Sequence, residues 1–147
     1  MVAENTEAVQ RHNRVCHFAE ESIREMHSSW AKTQALEPFL VTWPEGAVRS
    51  IEGKPVTGPC LLRLSGVDPA TWSEKIAQAV SLTGAYAVLL AEQKSDAVII
   101  TLETSHGARC WTLPIVRKGD VYRLGKSKVS SDLEHLGVLW SPKKNQA

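Results

Sequence analysis

The chain has only three cysteines in 147 residues. They are odd in number, far apart, and none lies in a C-x-x-C, which argues against a disulfide framework. Cys16, Cys60 and Cys110 each sit among apolar neighbours, as buried free thiols of a reducing compartment do. The five histidines, His12, His17, His27, His106 and His135, form neither HxH nor HExxH, so a zinc site has no support. His106 lies in Ser-His-Gly, ordinary turn composition. A GxSxG elbow, a GxxxxGK phosphate loop and a GxGxxG turn are all missing, which removes the common signatures of acyl transfer and of nucleotide binding. No apolar run approaches the roughly 18 residues of a membrane span. The opening MVAENTEAVQRHNR is polar and carries acids, unlike a signal or transit peptide. A soluble, cytoplasmic protein is expected. Internal repeats, low-complexity segments and a linker long enough to divide domains are lacking as well.

What is present suits one globular domain. Hydrophobic residues make up 43% and charged residues 22%, which allows a sizeable core. The net charge of +1 is unevenly spread. Residues 1–107 hold nine Lys/Arg against thirteen Asp/Glu, and residues 108–147 hold eight against three. An excess of this kind can mark an anionic partner.

No Gly or Pro occurs before Pro38, and Asn5 or Thr6 can cap a helix predicted over 6–34. Val9, His12, Cys16, Ala19, Ile23, Met26 and Trp30 recur at alternating steps of three and four, a heptad-like stripe. Such a stripe either lies on the chain's own sheet or pairs with a second copy. In the second case Cys16, Ala19, Ile23, Met26 and Trp30 form a homodimer interface. Phe39–Trp43 reads as a strand, Pro44-Glu45-Gly46 as a turn, and residues 47–52 as the returning strand of a hairpin. Cys60–Leu64 is a further short strand. Asp68 caps a helix over 69–83 with Pro69 at its first position, and Gly84 terminates it.

Tyr86–Glu92 is almost wholly apolar, as a central strand covered on both faces is. Strands at 97–103, 108–116 and 121–126 follow as an antiparallel meander, with Pro114 marking an edge or bulge and Lys118-Gly119-Asp120 a tight turn. Residues 131–134 carry a capping-box pattern for a short helix, 138–140 a last strand, and 141–147 a polar tail. The expected architecture is therefore α+β: a single domain over 1–147, with a long N-terminal helix and one internal helix packed on a mainly antiparallel sheet within 39–140.

Two features carry the functional reading. Five tryptophans are a surplus. Trp72 and Trp30 suit the core, whereas Trp43, Trp111 and Trp140 occupy strand positions where exposure favours interface anchoring. With Arg109, Arg117, Arg123 and Lys126 nearby in sequence, Trp111 is expected on an aromatic and basic binding face. The second feature is Glu92-Gln93-Lys94 at the end of the apolar strand. It resembles the E-x-K of PD-(D/E)xK nucleases, which implies Asp68 as the other acid, two carboxylates on Mg²⁺ and a lysine that orients water. A helix stands between Asp68 and that strand, where such nucleases join the two strands by a hairpin.

From Cys60 to Lys126 the chain also resembles small uncharacterised bacterial and phage-borne proteins. The shared pattern is a strand, a helix, an AYxxxxxE strand and a meander ending in a rigid turn and LG, here Ala85-Tyr86, Glu92 and Leu124-Gly125. The resemblance implies an accessory or host-interaction role rather than metabolic catalysis. The leading expectation is a non-enzymatic protein-binding protein, without cofactor or metal, acting through the sheet face or the N-terminal helix. The alternative is a nucleic-acid-directed protein, either a basic binding module or a degenerate Mg²⁺ nuclease.

Overall fold

The structure, a computed structural model, describes residues 2–33, 35–44, 48–49, 55–56, 59–104 and 108–130. Helix α1 (Val2–Thr33) leads. It spans about 48 Å at the usual rise per residue. The strands are β1 (Phe39–Pro44), β2 (Val48–Arg49), β3 (Pro55–Val56), β4 (Cys60–Arg63), β5 (Ala85–Gln93), β6 (Ala97–Thr104), β7 (Ala108–Lys118), β8 (Val121–Leu124) and β9 (Lys128–Ser130), with α2 (Trp72–Thr83) between β4 and β5. A 3₁₀ turn at Pro69–Thr71 precedes α2.

Seven strands form one sheet in the order β4-β1-β5-β6-β7-β8, with β9 also on β7. All its described pairings are antiparallel. This is the α+β fold expected from the periodicities. α1 covers one face and α2 the other, so the apolar β5 is buried on both sides. Val15, Cys16, Ala19, Ile23, Met26 and Trp30 of α1 meet Val41, Trp43, Ala87, Leu89, Ile100, Leu102, Trp111 and Leu113. Ile76 and Val80 of α2 meet Leu40, Leu64, Val88 and Leu90.

The helical stripe is thus spent on the chain's own sheet. Cys16, Ala19, Ile23, Met26 and Trp30 are all buried, so a second copy has no access to them as a coiled-coil seam. The sheet offers the stripe a flat apolar surface within the same chain, and that contact needs no second molecule.

Two irregularities set which side chains face which helix. β1 pairs with β5 in one register from Phe39 to Trp43 and shifts by one residue at Pro44, which lies opposite Ala85. Tyr86 is the extra residue of this bulge. Ala85 therefore joins the α2 core while Ala87 joins the α1 core. β7 carries the second. β8 runs along one end of its outer edge and β9 along the other, one residue out of register. Between them Gly125 donates its N–H to the Pro114 carbonyl at 2.7 Å. A strand residue's N–H and C=O point the same way, so the donor that Pro114 lacks faces this edge, where the bulge interrupts the ladder.

The expected return of β1 through residues 47–52 is corrected. Val48–Arg49 pairs with Pro55–Val56 in a separate two-stranded sheet. β1 is buried on both faces from Leu40 to Pro44 and takes β4 and β5 as neighbours instead. The polar Arg49, Ser50 and Glu52 are poor company for such a strand. α2 ends as read, with Gly84 left-handed (φ 61°, ψ 41°) and its N–H on the Val80 carbonyl. α1 begins ahead of Asn5 and Thr6, which lie inside it. The expected helix near 131–134, the strand at 138–140 and the tail lie outside the described residues, as do His106, His135 and Trp140. Among the described residues no helix is long and apolar enough to cross a membrane.

Candidate functional site

Strand alternation places Arg109, Trp111, Leu113, Ile115 and Arg117 on one face of β7, as the spacing predicts. That face is the one α1 covers. Trp111 is 1% exposed and lies in the core, so it is not available as a surface anchor. Trp43, also read as exposed, is buried and takes the Phe18 ring edge-on at 5.1 Å. Arg109 is half-buried, with its guanidinium carbon 5.9 Å from the Trp111 ring centre. Its Nε is buried without a hydrogen-bond partner.

Beside Arg109, α1 brings a polar pair to the sheet. The Cys16 Sγ lies 3.6 Å from His12 Nε2, and His12 Nδ1 lies 3.1 Å from Thr104 Oγ1. A thiol beside an imidazole that a third group orients is the outline of an activated nucleophile. The environment works against it. Burial pushes the Cys16 thiol above its ordinary range, the Arg109 charge offsets this in part, and Glu20 adds to the rise. With the side chain 5% exposed, the group is a neutral, shielded thiol. The chain of contacts satisfies polar groups under α1 and ties the helix to the end of β6. The i,i+4 spacing of His12 and Cys16 was visible in sequence, whereas Thr104 lies 92 residues away.

Asp68, Glu92 and Lys94 have other partners. The Asp68 carboxylate accepts the Ala70 N–H at 3.1 Å, capping the 3₁₀ turn. Glu92 and Lys94 pair with each other at 2.9 Å across the start of the β5–β6 turn. Neither bonds to Asp68. Among the described residues no group of three or more His, Cys, Asp or Glu side chains is placed to hold a metal ion.

The exposed chemistry lies at the β7–β8 hairpin. Every residue from Val116 to Arg123 is exposed. Gly119 turns the chain with φ 65°, and the Arg117 Nε–H donates to the Gly119 carbonyl at 2.9 Å, closing the tip. Cross-strand pairing sets Arg117 beside Tyr122 on the α1 side. On the other side stand Val116 with Arg123 and Lys118 with Val121. Arg117 and Arg123 therefore project to opposite sides. Lys126 and Lys128 follow, both exposed, and Asp120 is the single acid of the 116–128 stretch. The hairpin is fixed at its base. Leu124 is buried, and the Trp30 indole N–H donates to the Tyr122 carbonyl at 3.0 Å. A hollow of about 480 Å³ lies between this end of α1 and β8, lined by His27, Trp30 and Val121 to Leu124. In the sequence Val116 and Val121 look like ordinary strand residues, and Trp30 reads as a member of the helical stripe rather than as an anchor for β8.

No protein-family model, curated protein or solved structure matches this chain.

Proposed function

We propose that the chain is a non-enzymatic binding protein that docks a second protein on the β7–β8 hairpin, in an accessory role of the kind the bacterial and phage-borne resemblance implies. The observation that carries this reading is the mixture at Val116–Arg123, where exposed Val116 and Val121 stand with Lys118 and Arg123 on one side of the hairpin and exposed Tyr122 stands with Arg117 on the other. Apolar side chains held out of the core on a rigid hairpin are an anchor for a partner, and Tyr and Arg are favoured at such centres. The flanking cations favour an acidic partner surface and speed encounter. Arg117, Arg123 and Lys126 keep the binding role read from the sequence, and Val121 and Tyr122 take over the apolar role assigned there to Trp111.

The nucleic-acid reading draws on the same excess of cations. The two separate by salt. Several phosphate contacts lose affinity steeply with ionic strength, whereas an apolar-anchored protein contact keeps most of it. The test places a photo-crosslinking residue at Tyr122, with Lys75 on α2 as the control position, and measures the captured partner's affinity for wild type, Val121→Ser and Arg123→Ala. The expected result is a discrete protein captured from 122 and not from 75, with Val121→Ser the more damaging change. Capture of nucleic acid, with binding that collapses by about 0.2 M salt and Arg123→Ala the worse variant, refutes the proposal.

A further inference from the structure

The opposite edge of the sheet ends in β4, which has β1 as its one neighbour among the described residues. Leu64 donates its N–H to the Pro38 carbonyl at 2.9 Å, which makes Leu64–Pro38 a hydrogen-bonded pair of the antiparallel ladder. Such pairs alternate, so Leu62 and Leu40 form the next one. The N–H and C=O of Leu61 and Arg63 consequently point away from β1, toward the open edge. The strand's apolar side chains are also left out. Leu61 is 59% exposed on the α1 side and Leu62 is 44% exposed on the α2 side. On the α1 side Leu61 and Arg63 border a groove of about 620 Å³ between the edge and the helix, with Phe39 and Val41 on its floor. Glu25 and Glu37 also line it, and no ion pair joins either to Arg63 among the described residues.

We propose that a second copy of this chain pairs on this edge, β4 to β4, antiparallel about a two-fold axis through Leu62. The register follows from the backbone. A two-fold axis perpendicular to the sheet keeps each face on its own side, so α1-side residues must oppose α1-side residues. Centring on Leu62 sets Leu61 opposite Arg63 of the second copy, and Arg63 opposite its Leu61. These are the residues whose outward N–H and C=O have no strand beside them among the described residues, and each pair exchanges both bonds. On the α2 side Leu62 meets its own counterpart across a non-hydrogen-bonded pair, where side chains approach closest. On the α1 side the guanidinium of each copy arrives beside Leu61, at the mouth of a groove lined by two carboxylates. Backbone parity, apolar contact and charge thus agree on one occupant, and a bare strand edge of this kind is otherwise an aggregation hazard. The pairing is independent of the hairpin at the other end of the sheet.

The register makes the test specific. The two Leu62 Cα atoms stand about 4.5 Å apart, inside the range a disulfide spans, whereas Leu61 and its counterpart are diagonal neighbours beyond it. Leu62→Cys and Leu61→Cys are made in a Cys60→Ser chain and oxidised mildly. Leu62→Cys is expected to form a covalent dimer rapidly, and Leu61→Cys to lag by at least about tenfold. Sedimentation of the unaltered chain from about 10 µM to 1 mM is expected to show a reversible monomer–dimer equilibrium, since so short an edge gives a weak contact. Leu62→Glu abolishes it with an unchanged circular dichroism spectrum. Equal cross-linking from both positions, or an unaltered chain that stays monomeric at every concentration, overturns the proposal.

Discussion

Trp111→Ala separates a core role from a surface role for the residue that looked most like an anchor. Trp111 sits on β7 opposite Ile100 of β6 and Val129 of β9, beneath α1, at 1% exposure. Truncation removes most of a large aromatic from a packed interior and leaves a cavity, because the strands on both sides are fixed by their ladders. Losses of this type run to about 3–5 kcal/mol. The Arg109 guanidinium loses the ring beneath it, which adds on the order of 0.5–2 kcal/mol. At roughly 3 °C per kcal/mol for a chain of this size, the melting temperature should fall by about 10–20 °C. The assay is urea unfolding followed by far-ultraviolet circular dichroism, with partner affinity measured at low temperature where the variant is still folded. Affinity should be unchanged within about threefold, since the hairpin is a separate surface. A variant as stable as wild type, or one that keeps its stability and loses its partner, refutes the placement of Trp111 in the core.

Three further outcomes follow from the packing. Ile23→Glu puts a carboxylate between α1 and the sheet and should cost about 3 kcal/mol or more, read by chemical denaturation; equal stability would mean the helix does not lie on the sheet. Gly125→Ala sets a Cβ 2.9 Å from Pro114 Cγ and 3.3 Å from its carbonyl, neither of which can move away easily, so about 1–3 kcal/mol should be lost, measured the same way. Cys16 has a folded thiol pKa raised above its ordinary 9.0, so the folded state holds that proton more tightly than the unfolded chain does. Its contribution is therefore complete below pH 9.0 and declines as pH rises through the folded value. Stability measured from pH 8 upward should fall less steeply in Cys16→Ser, and identical slopes would contradict the burial argument.

Much of the fold was legible because its elements are locally consistent. β5 announces itself as an apolar run, β7 and β8 are joined by a tight turn at Gly119, and α2 carries Asp68 before it and Gly84 after it. The helical stripe was legible as a periodicity, but periodicity cannot say whether the surface opposite belongs to the same chain. Trp111 failed for a related reason: alternation assigns it a face of β7, while only the path of α1 decides that this face is covered. The partner of β2 was hidden because Val48–Arg49 and Pro55–Val56 are two-residue strands without an alternating pattern. β9 was hidden because Lys-Val-Ser is exposed throughout and, among the described residues, pairs with the outer edge of β7 alone. The hairpin surface required both kinds of knowledge, since Val116 and Val121 are remarkable only once they are seen to lack cover.

The docking role of the hairpin is tested most directly by a double variant, Val116→Ser with Val121→Ser, titrated with the captured partner while melting is followed on the same samples. Both side chains are exposed, so removing them costs the fold little, within about 1 kcal/mol. The account predicts affinity reduced by at least about tenfold with a nearly unchanged melting temperature. Undiminished affinity in a fully folded double variant would contradict it.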